Sequence, residues 1–145
     1  MTKPFVVDMD SHVMEPADLW DNYLEPQYRD RSITIRKNNS GREELIVDNK
    51  VLLSGRLASL GGVEHQADKL FVDPDIPYVA GCPLASYDTQ ARVELLDEWG
   101  VDAGVVFPTI GILWDKPDDP ELAMAYARAY NNWQWDFARP ALDRI

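Results

Sequence analysis

Asp8, Asp10 and His12 stand at alternate positions directly after the apolar run Phe5-Val6-Val7, inside the stretch FVVDMDSHVMEP. Side chains two apart on an extended chain project to one face, so two carboxylates and an imidazole can converge on one side of a strand and its extension. A carboxylate oxygen beside an imidazole nitrogen suits a borderline divalent ion such as zinc. A catalytic zinc needs at least three protein ligands and an open position, so more donors must come from elsewhere. Two other readings use the same residues. Asp8 and Asp10 can serve as nucleophile and acid of a phosphoryl-transfer pair, or the whole stretch can be a polar strand end that hydrogen-bonds its own turn.

The positioning elements follow from the rest of the pattern. Pro4 to Val7 is read as a short strand with Asp8 to His12 just past its C-terminal end. Glu15 and Pro16 open a short helix through Leu19, Trp20, Tyr23 and Leu24, which Pro26 stops. Glu15 is a carboxylate facing that helix's dipole and stays outside the candidate site. Between Ile33 and Leu53, turn residues at Asn38 to Gly41 and at Asp48-Asn49 separate three apolar runs, which predicts an antiparallel meander. From Ser54 to Tyr87 no period survives, as in a functional lid or insertion. Asp88 is a good N-cap for a helix with Val93, Leu96 and Trp99 on one face and Gly100 at its close. Val101 to Phe107, ended by Pro108, reads as a buried parallel strand. Asp119 and Pro120 start a long helix with Leu122, Tyr126, Ala129, Trp133 and Phe137 on its apolar stripe, limited by Pro140. The alternation predicts an α/β fold with a parallel sheet.

A chain of 145 residues with 46% hydrophobic content can bury the core of one domain. Its net charge of −11, with Lys and Arg scattered, argues against a nucleic-acid partner. The acidic group Asp115, Asp118, Asp119 and Glu121 is explained by a loop and a helix start. No window is apolar over the length of a membrane span and no secretory leader opens the chain, so a cytoplasmic protein without a membrane partner is expected. Cys82 stands alone, which excludes an internal disulfide and a cysteine-rich zinc site. His65 is read as a solvated loop residue, and Tyr126, Tyr130, Trp133 and Trp135 as packing. Trp114 is a candidate for the wall of a substrate mouth.

Asp8-x-Asp10-x-His12-Val13 followed by Glu15-Pro16 and Leu19-Trp20 resembles the opening of the amidohydrolase-related proteins, a branch of the amidohydrolase superfamily that includes aromatic acid decarboxylases. Leu96-x-x-x-Gly100-Val101-Asp102 with Val105-Val106-Phe107-Pro108-Thr109 resembles the approach to that family's second barrel strand and the strand itself. Ala127-Arg128-Ala129-Tyr130-Asn131-x-Trp133 resembles its second long helix. The resemblance implies a (β/α)₈ TIM barrel, with residues 1–145 as its N-terminal portion and a small antiparallel β insertion with a long loop at about 30–87. It implies a divalent metal, zinc first and manganese as the alternative, with Asp10 and His12 as ligands and Asp8 in a supporting role. No catalytic residue falls in this portion, because the family's later His residues and final Asp would lie on strands past Ile145. The implied activity is hydrolysis or decarboxylation of a small carboxylated or aromatic molecule by a homo-oligomer when intact, the truncated chain being inactive or a non-catalytic piece. The chemical rival is a haloacid-dehalogenase-type phosphatase using Asp8 and Asp10; His12, where that family has Thr or Val, counts against it, as does the want of a later Lys.

Overall fold

In a computed structural model of the chain, residues 3–61, 73, 75–113 and 117–145 are described. The positions of His65 and Trp114 fall outside them. The elements run β1 (Val7–His12), α1 (Leu19–Tyr23), a 3₁₀ turn (Pro26–Arg31), β2 (Thr34–Lys37), β3 (Glu43–Val47), β4 (Lys50–Ser54), α2 (Thr89–Trp99), β5 (Ala103–Phe107), the single helical turn α3 (Ile110–Leu113) and α4 (Pro120–Ala138). The fold is mixed α/β, with β1 and β5 paired in parallel and β2, β3 and β4 forming a separate antiparallel sheet.

Asp102 accepts the Val6 amide on Oδ2 at 2.8 Å, and the Val6 carbonyl accepts the amides of Asp102 and Ala103 in return. This exchange sets the register, Val7 opposite Ala103 and His12 opposite Phe107. Two expectations are corrected by it. The first strand begins at Val7 rather than Pro4, so Asp8 to His12 lie within it and not beyond it, because the partner strand begins only at Ala103. The second strand is parallel but not buried: Val105 is 40% and Phe107 41% exposed, as are Val7 and the more open Met9 on β1. A two-stranded sheet covered by helix on one side leaves its other side bare.

The covered side is built from small residues. Ser11 is buried, and a Cβ on Gly104 would stand 3.4 Å from its hydroxyl and 3.8 Å from Leu96 of α2. Asp88 caps α2 by accepting the Ala91 amide, and Gly100 closes it in the left-handed conformation at φ 69°. Of the face read from the sequence, Leu96 is buried but Trp99 is 55% exposed; the second buried residue of α2 is Arg92, four residues before Leu96.

The main core forms where α4 lies on α1. Trp20 meets Tyr126 edge to face at 5.7 Å between ring centres, and Leu122, Ala125, Ala129, Trp133 and Phe137 complete the buried stripe, whereas Trp135 is exposed. Within the unpatterned stretch expected from Ser54 to Tyr87, the described residues form three short 3₁₀ turns, Leu57–Gly61, Tyr78–Gly81 and Leu84–Ser86. They are anchored, not free: Leu57, Ala58 and Tyr78 are buried, and a Cβ on Gly81 would stand 1.9 Å from the Ala58 carbonyl oxygen, so only glycine fits.

Asp48 and Asn49 turn the β3–β4 hairpin with φ of 49° and 61°, the left-handed pair of a type I′ turn. Arg31 clamps that turn to α4, gripping both oxygens of Asp48 at 2.6 and 3.1 Å and Asp119 at 2.7 Å. The guanidinium holds both carboxyls below the ordinary aspartate value of 3.8. A depressed carboxyl contributes stability that is present above its unfolded value and lost as pH falls through the folded one. Urea midpoints are therefore expected to fall between about pH 7 and about pH 2.5, and by less in Arg31→Met, which lacks the clamp at both. An equal fall in the two proteins would refute the linkage.

Candidate metal centre

Asp10 and His12 sit at the C-terminal end of β1, on the side opposite the buried Ser11. His12 Nδ1 lies 2.9 Å from the Pro108 carbonyl oxygen. A carbonyl only accepts, so Nδ1 carries a proton, and in the neutral ring Nε2 presents its lone pair. That nitrogen is 3.6 Å from Asp10 Oδ1. Two ligands of a tetrahedral zinc at bond lengths near 2.0–2.1 Å are about 3.3 Å apart, so the pair fits one ion with a small adjustment. The Asp10 side chain is 89% exposed and free to make it. Among the described residues no group of three or more His, Cys, Asp or Glu side chains converges, so the pair is a two-donor arrangement.

Asp8 is not part of it. The ladder slips between Asp8 and Ser11, three residues on β1 spanning two on β5, which breaks the simple alternation. The Asp8 carboxylate folds back on its own strand, accepting the Ser11 hydroxyl at 2.7 Å and the Asp10 amide at 3.0 Å. Those two bonds, the hydroxyl first, hold its carboxyl below the ordinary range.

Two buried charges fix the strand end, and neither was in the candidate set. Arg92, 5% exposed, reaches up from α2 and donates Nη2 to the His12 carbonyl at 2.6 Å and Nε to the Ala85 carbonyl at 2.7 Å. Burial lowers its pKa, and the charge of Asp8 opposes the change. An arginine four residues before a buried leucine was the available signal, but on an acidic chain such a residue reads as solvated surface.

Glu15 corrects the reading made from its place in the sequence. It does not face the dipole of the helix that follows it; it is fully buried and caps α3, whose first amides come from 94 to 96 residues away. Oε1 accepts from Thr109 and Gly111 at 3.1 Å each, and Oε2 from Ile110 at 2.9 Å. Burial pushes this carboxyl above the usual glutamate range while the amides resist the rise. Tyr78 donates its hydroxyl to the Glu15 carbonyl at 2.8 Å. Next to it, an apolar cleft of ≈ 190 Å³ is lined by Pro16, Ala17, Tyr78, Val79, Cys82 and Tyr87. Burial pushes the Cys82 thiol up to about 11, so it stands there protonated and is a poor nucleophile or ligand.

No protein-family model matches the chain, and no curated protein sequence matches it. Among solved structures, the crystal structure of an amidohydrolase from Mycobacterium avium subsp. paratuberculosis aligns over 94% of this chain with a TM-score of 0.62 and 21% identity. At that identity the likeness is one of fold alone: the mixed α/β arrangement of this chain is similar to part of that structure. The chain spans 39% of that protein's length. Among the described residues, no helix is long and apolar enough to cross a membrane.

Proposed function

We propose that this chain is the N-terminal part of a metal-dependent enzyme of the amidohydrolase-related kind, with Asp10 and His12 supplying the first two ligands of a divalent ion, zinc or manganese. The observation that carries the reading is the His12 imidazole, whose Nδ1 is tied to a backbone carbonyl while Nε2 faces the Asp10 carboxylate at 3.6 Å. Ligating histidines are held in this way by a partner on their other nitrogen. In a closed barrel of parallel strands the exposed side of β1 and β5 becomes the interior, and the strand ends that carry Asp10 and His12 form the C-terminal mouth. The fold likeness to an amidohydrolase supports that placement.

An ion held by Asp10 and His12 would supply Lewis acidity toward a water or a carboxylate of the substrate. Asp10 and His12 bind, the Pro108 carbonyl and Arg92 orient, and the side chains that move protons belong to strands beyond β5. The substrate class is a small carboxylated or aromatic molecule, and the reaction hydrolysis or non-oxidative decarboxylation.

Zinc or cobalt titrated into the chain is expected to bind at one equivalent and to perturb the His12 imidazole resonances. Asp10→Ala with His12→Ala should weaken binding by more than about 100-fold, since even a supporting partner of a ligand is worth about 10- to 100-fold. Undiminished binding by the double variant would refute the assignment.

A further inference from the structure

Thr109 and Pro108 share one peptide unit, and its two ends are bonded in opposite directions. The Thr109 amide donates to Glu15 Oε1 at 3.1 Å, while the Pro108 carbonyl oxygen lies 2.9 Å from His12 Nδ1. A peptide unit is planar and stiff, with N–H and C=O antiparallel across it, so whatever fixes the amide also aims the carbonyl. The neighbouring amides of Ile110 and Gly111 are held by the same carboxylate. One bond holds that plane and two more tie the next two peptide units to the same fully buried side chain, which leaves the segment little freedom to rotate.

We propose that Glu15 is a positioning residue for His12: by holding the amides of residues 109–111 it aims the Pro108 carbonyl at Nδ1, and so selects the imidazole tautomer that leaves Nε2 free toward Asp10. The functional importance of that tautomer rests on the reading of His12 as a ligand, but the positioning itself is a property of the metal-free chain. Glu15 and His12 are three residues apart, yet the link between them runs through Pro108 and Thr109, just past the end of β5. β1 turns inward after His12, where Val13 and Met14 are buried, and this carries the Glu15 carboxylate under the end of β5 instead of into the solvent. Arg92, bonded to the His12 carbonyl at 2.6 Å, anchors the backbone of the same residue, so its ring and its main chain are held from two sides.

A merely structural carboxylate would affect stability and nothing else. A positioning one also changes which ring nitrogen carries the proton. The chain has two histidines, so in His65→Asn the only imidazole signals are those of His12. Long-range ¹⁵N imidazole spectra of the metal-free protein at about pH 8.5, above the ordinary range of histidine, are expected to show the Nδ1–H form alone. Should the chain self-associate, the same signals can be read from the hydrated solid by magic-angle spinning. Glu15→Gln keeps one acceptor oxygen but turns an NH₂ toward the amides, so at least one bond is lost and the Nε2–H form should rise to a substantial fraction of the population. Zinc affinity should fall by about 10- to 100-fold in parallel.

The proposal is overturned if wild-type His12 is mainly Nε2–H, a result that needs no variant to fold. It is overturned equally if Glu15→Gln shifts the amide resonances of Thr109, Ile110 and Gly111 while the tautomer stays unchanged. Glu15→Asp, which keeps the charge but withdraws it by one methylene, should give an intermediate mixture and serves if the glutamine variant fails to fold. A tautomer that responds to Glu15, together with zinc binding that is undiminished in Asp10→Ala with His12→Ala, would support the positioning and sink the metal reading, so the two fail separately.

Discussion

Glu15→Ala is expected to lower the unfolding free energy by about 3–5 kcal/mol, a large part of the total for a domain of this size. The magnitude follows from what is left behind. Three amides, the buried one of Ile110 and the half-buried ones of Thr109 and Gly111, lose their acceptor together, and a buried unpaired donor costs about 1–3 kcal/mol. Water reaching the vacated space offsets part of the sum, which is why the figure stays below the top of the range. Urea unfolding followed by tryptophan fluorescence measures it. Hydrogen exchange at residues 109–111 should accelerate more than in α4, because the damage begins where the amides are released. A loss under about 1 kcal/mol would mean that the carboxylate is not their principal acceptor.

The second large effect belongs to Arg92. Arg92→Ala is expected to cost about 3 kcal/mol, from two carbonyls, His12 and Ala85, that lose a donor and from the cavity under the sheet. Arg92→Met fills most of that cavity and removes a buried cation that has no ion-pair partner among the described side chains. Its cost should therefore be clearly smaller than that of alanine. The comparison separates packing and desolvation from hydrogen bonding. Equal losses in the two variants would assign the whole effect to the two carbonyls. In both, zinc binding should weaken, because the carbonyl of a proposed ligand is released.

The glutamate and the arginine show why sequence reasoning stops where it does. Glu15 before Pro16 looks like a helix start, but α1 begins only at Leu19, four residues later, with Asp18 at its N-cap. What no local pattern records is that the chain turns inward after His12 and delivers this carboxylate to amides 94 to 96 positions away. Arg92 likewise looks solvated until α2 is laid beneath β1 and its guanidinium meets a carbonyl 80 positions distant. The stretch from 54 to 87 was illegible for a related reason. Its 3₁₀ turns are too short to show a period, and they are held by contacts such as Gly81 on Ala58 and Tyr78 on Glu15.

By itself the sequence determined several features that depend on neighbours along the chain. The caps at Asp88 and Asp119, the left-handed Gly100, the Asp48-Asn49 hairpin turn, the apolar stripe of α4 and the same-side placement of Asp10 and His12 all follow from bonding and spacing within a few residues. The tertiary structure alone decided which of three ligand-type residues face each other. A slip in the β1–β5 ladder accompanies the folding of Asp8 back onto Ser11, and the Pro108 carbonyl, just past the end of β5, holds the His12 ring that faces Asp10. The reason is physical: a strand's own geometry sets the side on which a residue lies, but the hydrogen-bond partners that orient its ring or carboxylate come from backbone that only folding brings near.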